Sequence, residues 1–191
     1  MKRLRLALVT VTLGTMLVAM LGAAPLRLTA QAPRPPRPPR ALRDELVGTW
    51  RLVAARQRLT DGSVRPDPQP GPHGVGYLMY DATRHVCVGL ANPDRPAWKS
   101  SQAATDAELR AAFDGLVAYC GTYETDEARR AVIHHVEADR EPRVMGTDRV
   151  RLATVTGDRL VLRPVDVPPG IAEWTVEWER VGAMTSAPRA P

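Results

Sequence analysis

After residue 44, hydrophobic and polar residues alternate with a period of two along most of the chain, the pattern of strands that bury one face. The clearest stretch sets Trp174, Val176 and Trp178 against Glu173, Thr175, Glu177 and Glu179. By the same test Trp50 and Leu52 face inward against Arg51, Leu160 and Leu162 against Arg159 and Arg163, and Val150 and Leu152 against Arg149 and Arg151. Tyr119, Gly121 and Tyr123 oppose Cys120, Thr122 and Glu124, while His134 shares an inner face with Val132 and Val136. The pattern predicts eight strands, at about 47–59, 75–80, 85–91, 119–125, 129–138, 147–155, 159–163 and 172–181. Several links are short, including Asp81 to Arg84 and Gly157-Asp158, so successive strands should be antiparallel neighbours. The predicted fold is all-β: an eight-stranded antiparallel up-and-down barrel, closed so that no sheet edge is left over.

One segment departs from the period of two. Thr105 with Glu108 three residues on has the form of a helix capping box, and Leu109, Ala112, Phe113, Leu116 and Val117 form an apolar stripe at helical spacing. This one helix falls between the third and fourth strands, and its stripe should either plug an end of the barrel or pack on its outer wall. Two connections are long, Gly62 to Gly74 and Asn92 to Ala104; a mobile rim and a plain connection are both open for them.

Residues 1–32 carry the three parts of an export signal: the charged Met1 to Arg5, an apolar stretch from Leu6 to about Ala24, and small residues at Ala30 and Ala32 around Gln31. Export to the periplasm or medium is expected, with the apolar stretch either cleaved or kept as an N-terminal anchor, the only membrane attachment foreseen. Residues 33–43 read as a stiff Pro/Arg-rich linker, 44–183 as the barrel and 184–191 as a disordered tail.

Charge changes one further inference. The chain has 26 basic and 21 acidic residues, but Lys2, Arg3, Arg5, Arg27, Arg34, Arg37 and Arg40 all precede the barrel. Without those seven, 19 basic residues face 21 acidic ones. The barrel therefore lacks the basic footprint of a nucleic-acid-binding module.

Several short motifs punctuate the strands: Gly48-Thr49-Trp50, Gly76-Tyr77-Leu78-Met79-Tyr80, Gly121-Thr122-Tyr123-Glu124, His134-His135-Val136-Glu137 and Gly146-Thr147-Asp148, with Thr105 to Leu109 on the helix. Over residues 44–181 the chain resembles a bacterial family of lipocalin-like domains on these residues. The resemblance implies a barrel able to hold one small hydrophobic molecule. It also implies that Gly48 and Trp50 close one end, with Arg180 stacked on the Trp50 ring.

The expected ligand-lining residues are Leu52, Tyr119, Tyr123, His134, Val150, Leu160, Trp174 and Val176, taken from the inner faces. His134 is the main polar group among them. His134 and His135 point to opposite faces, so the two rings cannot chelate one metal; neither a metal site nor a cofactor is foreseen. There is no Gly-rich phosphate loop, no Gly-x-Ser-x-Gly and no Cys-x-x-Cys, so no residue is assigned as catalytic. Three readings follow: a ligand carrier, a cofactor-free isomerase or cyclase using Tyr119, Tyr123 or His134 as proton donors, and a barrel filled by its own side chains. Cys87 and Cys120 both face outward on consecutive strands, and either a disulfide or two separate thiols fits that placement. Oligomeric state is not encoded in any pattern found.

Overall fold

The computed structural model describes residues 40–99 and 103–182; the expected export signal, residues 33–39 of the linker and the tail from 184 lie outside them. The described chain begins with helix α1 (Leu42–Leu46), whose Leu42 and Leu46 are buried. Leu42 and Arg43, expected in the linker, thus already belong to the folded part. Nine strands follow: β1 (Gly48–Leu59), β2 (Val64–Pro66), β3 (Val75–Tyr80), β4 (His85–Ala91), β5 (Leu116–Asp126), β6 (Ala131–Asp139), β7 (Asp148–Thr156), β8 (Arg159–Pro164) and β9 (Ile171–Arg180).

Every pairing is antiparallel, in the order β1-β3-β4-β5-β6-β7-β8-β9, and β9 returns to pair with β1, closing an eight-stranded barrel. β2 is a short ninth strand on the far half of β1, at Arg56 to Arg58. The sequence pattern read it as loop, because three exposed residues offer no alternation to detect. Helix α2 (Asp106–Asp114) therefore lies after β4 and before β5, not between the third and fourth strands of the chain.

The α2 boundary and environment also differ from expectation. Thr105 and Glu108 do form the capping box, but Leu116 and Val117 belong to β5. Leu109 and Phe113 remain 49% and 45% exposed, so the stripe neither plugs the barrel nor covers its wall. Phe113 is instead roofed by the guanidinium of Arg140, 4.2 Å from its ring centre and well within the ~6 Å reach of a cation–π contact.

Strand faces follow the alternation in β3, β4, β5, β6, β8 and β9, whose inner residues form one continuous core. β1 changes face at a bulge between Leu52 and Ala54, after which Ala55 and Gln57 point inward. β7 corrects the sequence reading. Arg151 lies opposite Val132 and Arg149 opposite His134, both inner residues of β6, and directly opposed residues share a face. Arg149, Arg151 and Ala153 therefore point inward, while Val150 pairs with Ile133 on the outer face and Leu152 is 39% exposed. The outer wall carries ion pairs between β1 and β9, Arg51 with Glu179, Arg56 with Glu177 and Arg58 with Glu173, exposed enough to add little stability.

Cys87 lies directly opposite Cys120 across β4 and β5 and is joined to it by a disulfide. Among the described residues no helix is long and apolar enough to cross a membrane.

Candidate functional site

The two ends of the barrel differ in how their polar groups are used. At the first end, α1 covers the opening and Trp50, fully buried, donates its indole N–H to the carbonyl of Leu46 at 2.8 Å. The guanidinium of Arg180 sits 4.0 Å from the Trp50 ring centre and donates to the carbonyls of Glu45 and Val47 at 2.6 and 2.8 Å. Gly48 makes room for this: its φ is +137°, and a Cβ there would stand 2.7 Å from Arg180 Nη1. Glu127 closes the collar by accepting from the backbone N–H of Leu42 at 2.8 Å, which keeps its carboxyl below the usual range. Tyr123 donates to the carbonyl of Asp81 at 3.0 Å. Polar groups at this end are thus spent on the fold.

Deeper in the barrel His134 is fully buried between two phenols, with Tyr80 Oη 2.7 Å from Nε2 and Tyr119 Oη 2.9 Å from Nδ1. Burial holds the imidazole well below its ordinary value, and the guanidiniums of Arg151 and Arg149 push it further the same way. The ring is therefore neutral, with one donor and one acceptor nitrogen. Tyr80 and Tyr119 are both buried, each with His134 as its one side-chain hydrogen-bond partner among the described residues, and a neutral ring accepts from only one of them. Of the two, Tyr119 alone borders the cavity, so the Tyr119 O–H is the one that can turn to an acceptor there while Nδ1–H donates to its oxygen.

Tyr119 and His134 line a cavity of about 60 Å³ in the barrel centre, walled by Leu78, Val88, Leu90, Leu162, Val176 and Trp178 among others. That volume admits about four water-sized groups. It shares Gln69, Val117, Arg149, Arg151, Pro164 and Trp174 with a wider mouth of about 500 Å³, which Val144, Val150 and Pro168 also line. Arg149 and Arg151 stand where the two volumes meet, 4.7 and 5.8 Å from the centre of the Tyr119 ring. Arg149 pairs with the buried carboxylate of Asp139 at 3.1 Å. Arg151 donates to the carbonyl of Arg149 at 3.1 Å and has no carboxylate partner among the described residues. The indole N–H groups of Trp174 and Trp178 are buried without an acceptor. Burial raises the carboxyl of Asp67, and Trp174 stands near enough to act the other way while remaining outside hydrogen-bonding geometry.

Of the residues expected to line the cavity, Tyr119, His134, Trp174 and Val176 meet there, and Val150 reaches only the mouth because β7 turns it outward. Leu160 is buried in the core away from it, Leu52 borders a surface groove beside β2, and Tyr123 lies by the covered end. These three point inward but do not border the cavity. Arg149, Arg151, Asp67 and Tyr80 escaped the sequence reading. The first two were hidden by the rule that charge faces water; a signal was nonetheless present in Ala153 and Val155, whose parity carries back to Arg151 and Arg149. Among the described residues no cluster suited to a metal ion occurs.

A family model described as a lipocalin-like domain matches residues 47–181. Comparison with curated proteins finds no match.

Proposed function

Since the chain belongs to the lipocalin-like domain family, we propose that it is an exported binding protein that takes up one small, largely hydrophobic molecule through the mouth beside β7 and β8. One observation carries this reading: the only unsatisfied buried indole donors among the described residues line a cavity that shares six lining residues with a mouth of about 500 Å³. Native interiors leave few buried polar groups unpaired, and those that remain are commonly completed by a ligand or by water. Apolar walls with a few convergent polar groups are the usual make-up of a small-molecule site. Export is supported by the charged, apolar and small-residue segments of residues 1–32, and a disulfide on the barrel wall suits an oxidising compartment. The mature chain should begin at Gln31 or Pro33, or retain the apolar segment as an anchor.

A second reading is favoured by the size of the inner cavity: at about 60 Å³ the centre is nearly filled, as in a structural barrel. The neutral dye N-phenyl-1-naphthylamine separates the two. The carrier binds it at one equivalent with quenching of tryptophan emission, and Val117→Trp, at the junction of cavity and mouth, abolishes binding while the circular dichroism spectrum is kept. A filled barrel shows no saturable binding in the parent protein.

A further inference from the structure

Along the inner cavity and its junction with the mouth, side-chain donors exceed acceptors. Arg151 brings a guanidinium without a carboxylate, Tyr119 a hydroxyl proton left over by the His134 network, and Trp178 an N–H with no acceptor. Arg149 adds a second guanidinium, shared with Asp139. The one carboxylate lining the inner cavity, Asp67, forms no ion pair with Arg151; it accepts from the backbone N–H of Gln69 at 3.0 Å, and the guanidinium that acts on it is that of Arg65. His134 is saturated at both nitrogens and supplies no acceptor.

An inward, partly buried guanidinium without a counter-ion is a costly element, and the cost is recovered when a bound oxyanion completes it. We infer that the ligand is an amphiphilic oxyanion: an apolar body carrying a carboxylate or a group of like charge and shape, seated on Arg151 at the junction, with Tyr119 and Trp178 as neutral donors. Apolar side chains on both sides, Val88, Leu90 and Val176 inward and Val117, Val144 and Val150 toward the mouth, receive the body. A neutral hydrocarbon would leave these donors unpaired, and a cation at the junction would meet two guanidiniums, because the acidic residues Asp139, Glu141, Asp148 and Asp166 line the mouth and not the inner cavity. This inference rests on the carrier reading and makes it more specific.

Two dyes of one aromatic body test it on the full chain: 1-anilinonaphthalene-8-sulfonate, and N-phenyl-1-naphthylamine, which lacks only the sulfonate. Their dissociation constants are compared within each variant at about 0.15 M salt, where distant surface charge is largely screened. The parent protein should bind the sulfonate about tenfold tighter than the neutral dye, the size of one charge-assisted hydrogen bond. In Arg151→Met, and independently in Arg151→Gln, that ratio should fall close to one, while Arg151→Lys keeps part of it. One-to-one saturation by the neutral dye reports that a variant is folded and its cavity intact. A parent ratio near one with the neutral dye bound, or a ratio unchanged in both Arg151→Met and Arg151→Gln, overturns the inference and leaves the carrier reading standing. Failure of both dyes to saturate the parent protein overturns the carrier reading and this inference with it.

Discussion

The two regions of the barrel built around tryptophan, tyrosine and arginine use the same residue types to opposite ends. At the covered end, Trp50 donates to Leu46, Arg180 donates to Glu45 and Val47 while stacking on Trp50, and Tyr123 donates to Asp81. At the inner cavity, Trp178 and Trp174 have no acceptor and Arg151 has no carboxylate. Residue type therefore does not distinguish plug from site here; hydrogen-bond satisfaction does. Where every donor has a backbone acceptor, the fold has consumed the chemistry. Where donors are left over, they are free for a molecule from outside.

The contrast breaks most sharply under truncation at the covered end. Trp50→Ala should cost about 3–5 kcal/mol, the usual loss for a buried indole cut to a methyl group, read from the urea midpoint at constant slope. A smaller loss would mean that α1 collapses onto the space and that Trp50 is no plug. The wall between the two regions is tied by Cys87 and Cys120, 33 residues apart in sequence. The unreduced, unfolded protein should show no reactive thiol, and Cys87→Ser with Cys120→Ser should lower stability by about 3–4 kcal/mol.

The cavity region should respond to pH where the covered end does not. The His134 value in the folded state is depressed below 6.5, chiefly by burial, so as pH falls the unfolded chain takes up this proton first. The stabilisation is fully present above pH 6.5 and declines below it, by about 1.4 kcal/mol per unit for this one group. Urea midpoints between pH 6.5 and 5 should trace that slope, and His134→Gln should flatten it. An equal slope in the variant would place the titration elsewhere.

Most of the barrel is legible in the sequence because its strands mostly bury one face and show the other to water. In β9 the alternation of Trp174, Val176 and Trp178 with Glu173, Thr175, Glu177 and Glu179 is complete, and the inner face follows without further information. β7 shows where this stops. Arg149-Val150-Arg151-Leu152 read with charges outward gives one face; Ala153 and Val155 give the other, and only the pairing of Arg149 with His134 across β6 decides. That pairing is a long-range fact of register, which local pattern does not contain. The same holds for the site: Tyr119, His134, Trp174 and Val176 were visible as inner residues, but which inner residues border empty space depends on how neighbouring side chains fill each level of the barrel. The stripe on α2 misled for a related reason. Its helical spacing runs on through Leu116 and Val117 in the sequence, yet these two pair with Ala91 and Leu90 of β4.

A ligand bound as proposed meets the unsatisfied donors of the cavity and leaves the satisfied ones of the covered end alone. The protein has four tryptophans, and each indole N–H gives its own signal in a nitrogen–proton correlation spectrum. Titration with 1-anilinonaphthalene-8-sulfonate should shift the Trp174 and Trp178 indole signals, saturating at one equivalent, while those of Trp50 and Trp98 stay in place. Saturable shifts confined to Trp50 or Trp98, or no saturable shift of Trp178 when dye binding is complete, would place the ligand outside the cavity.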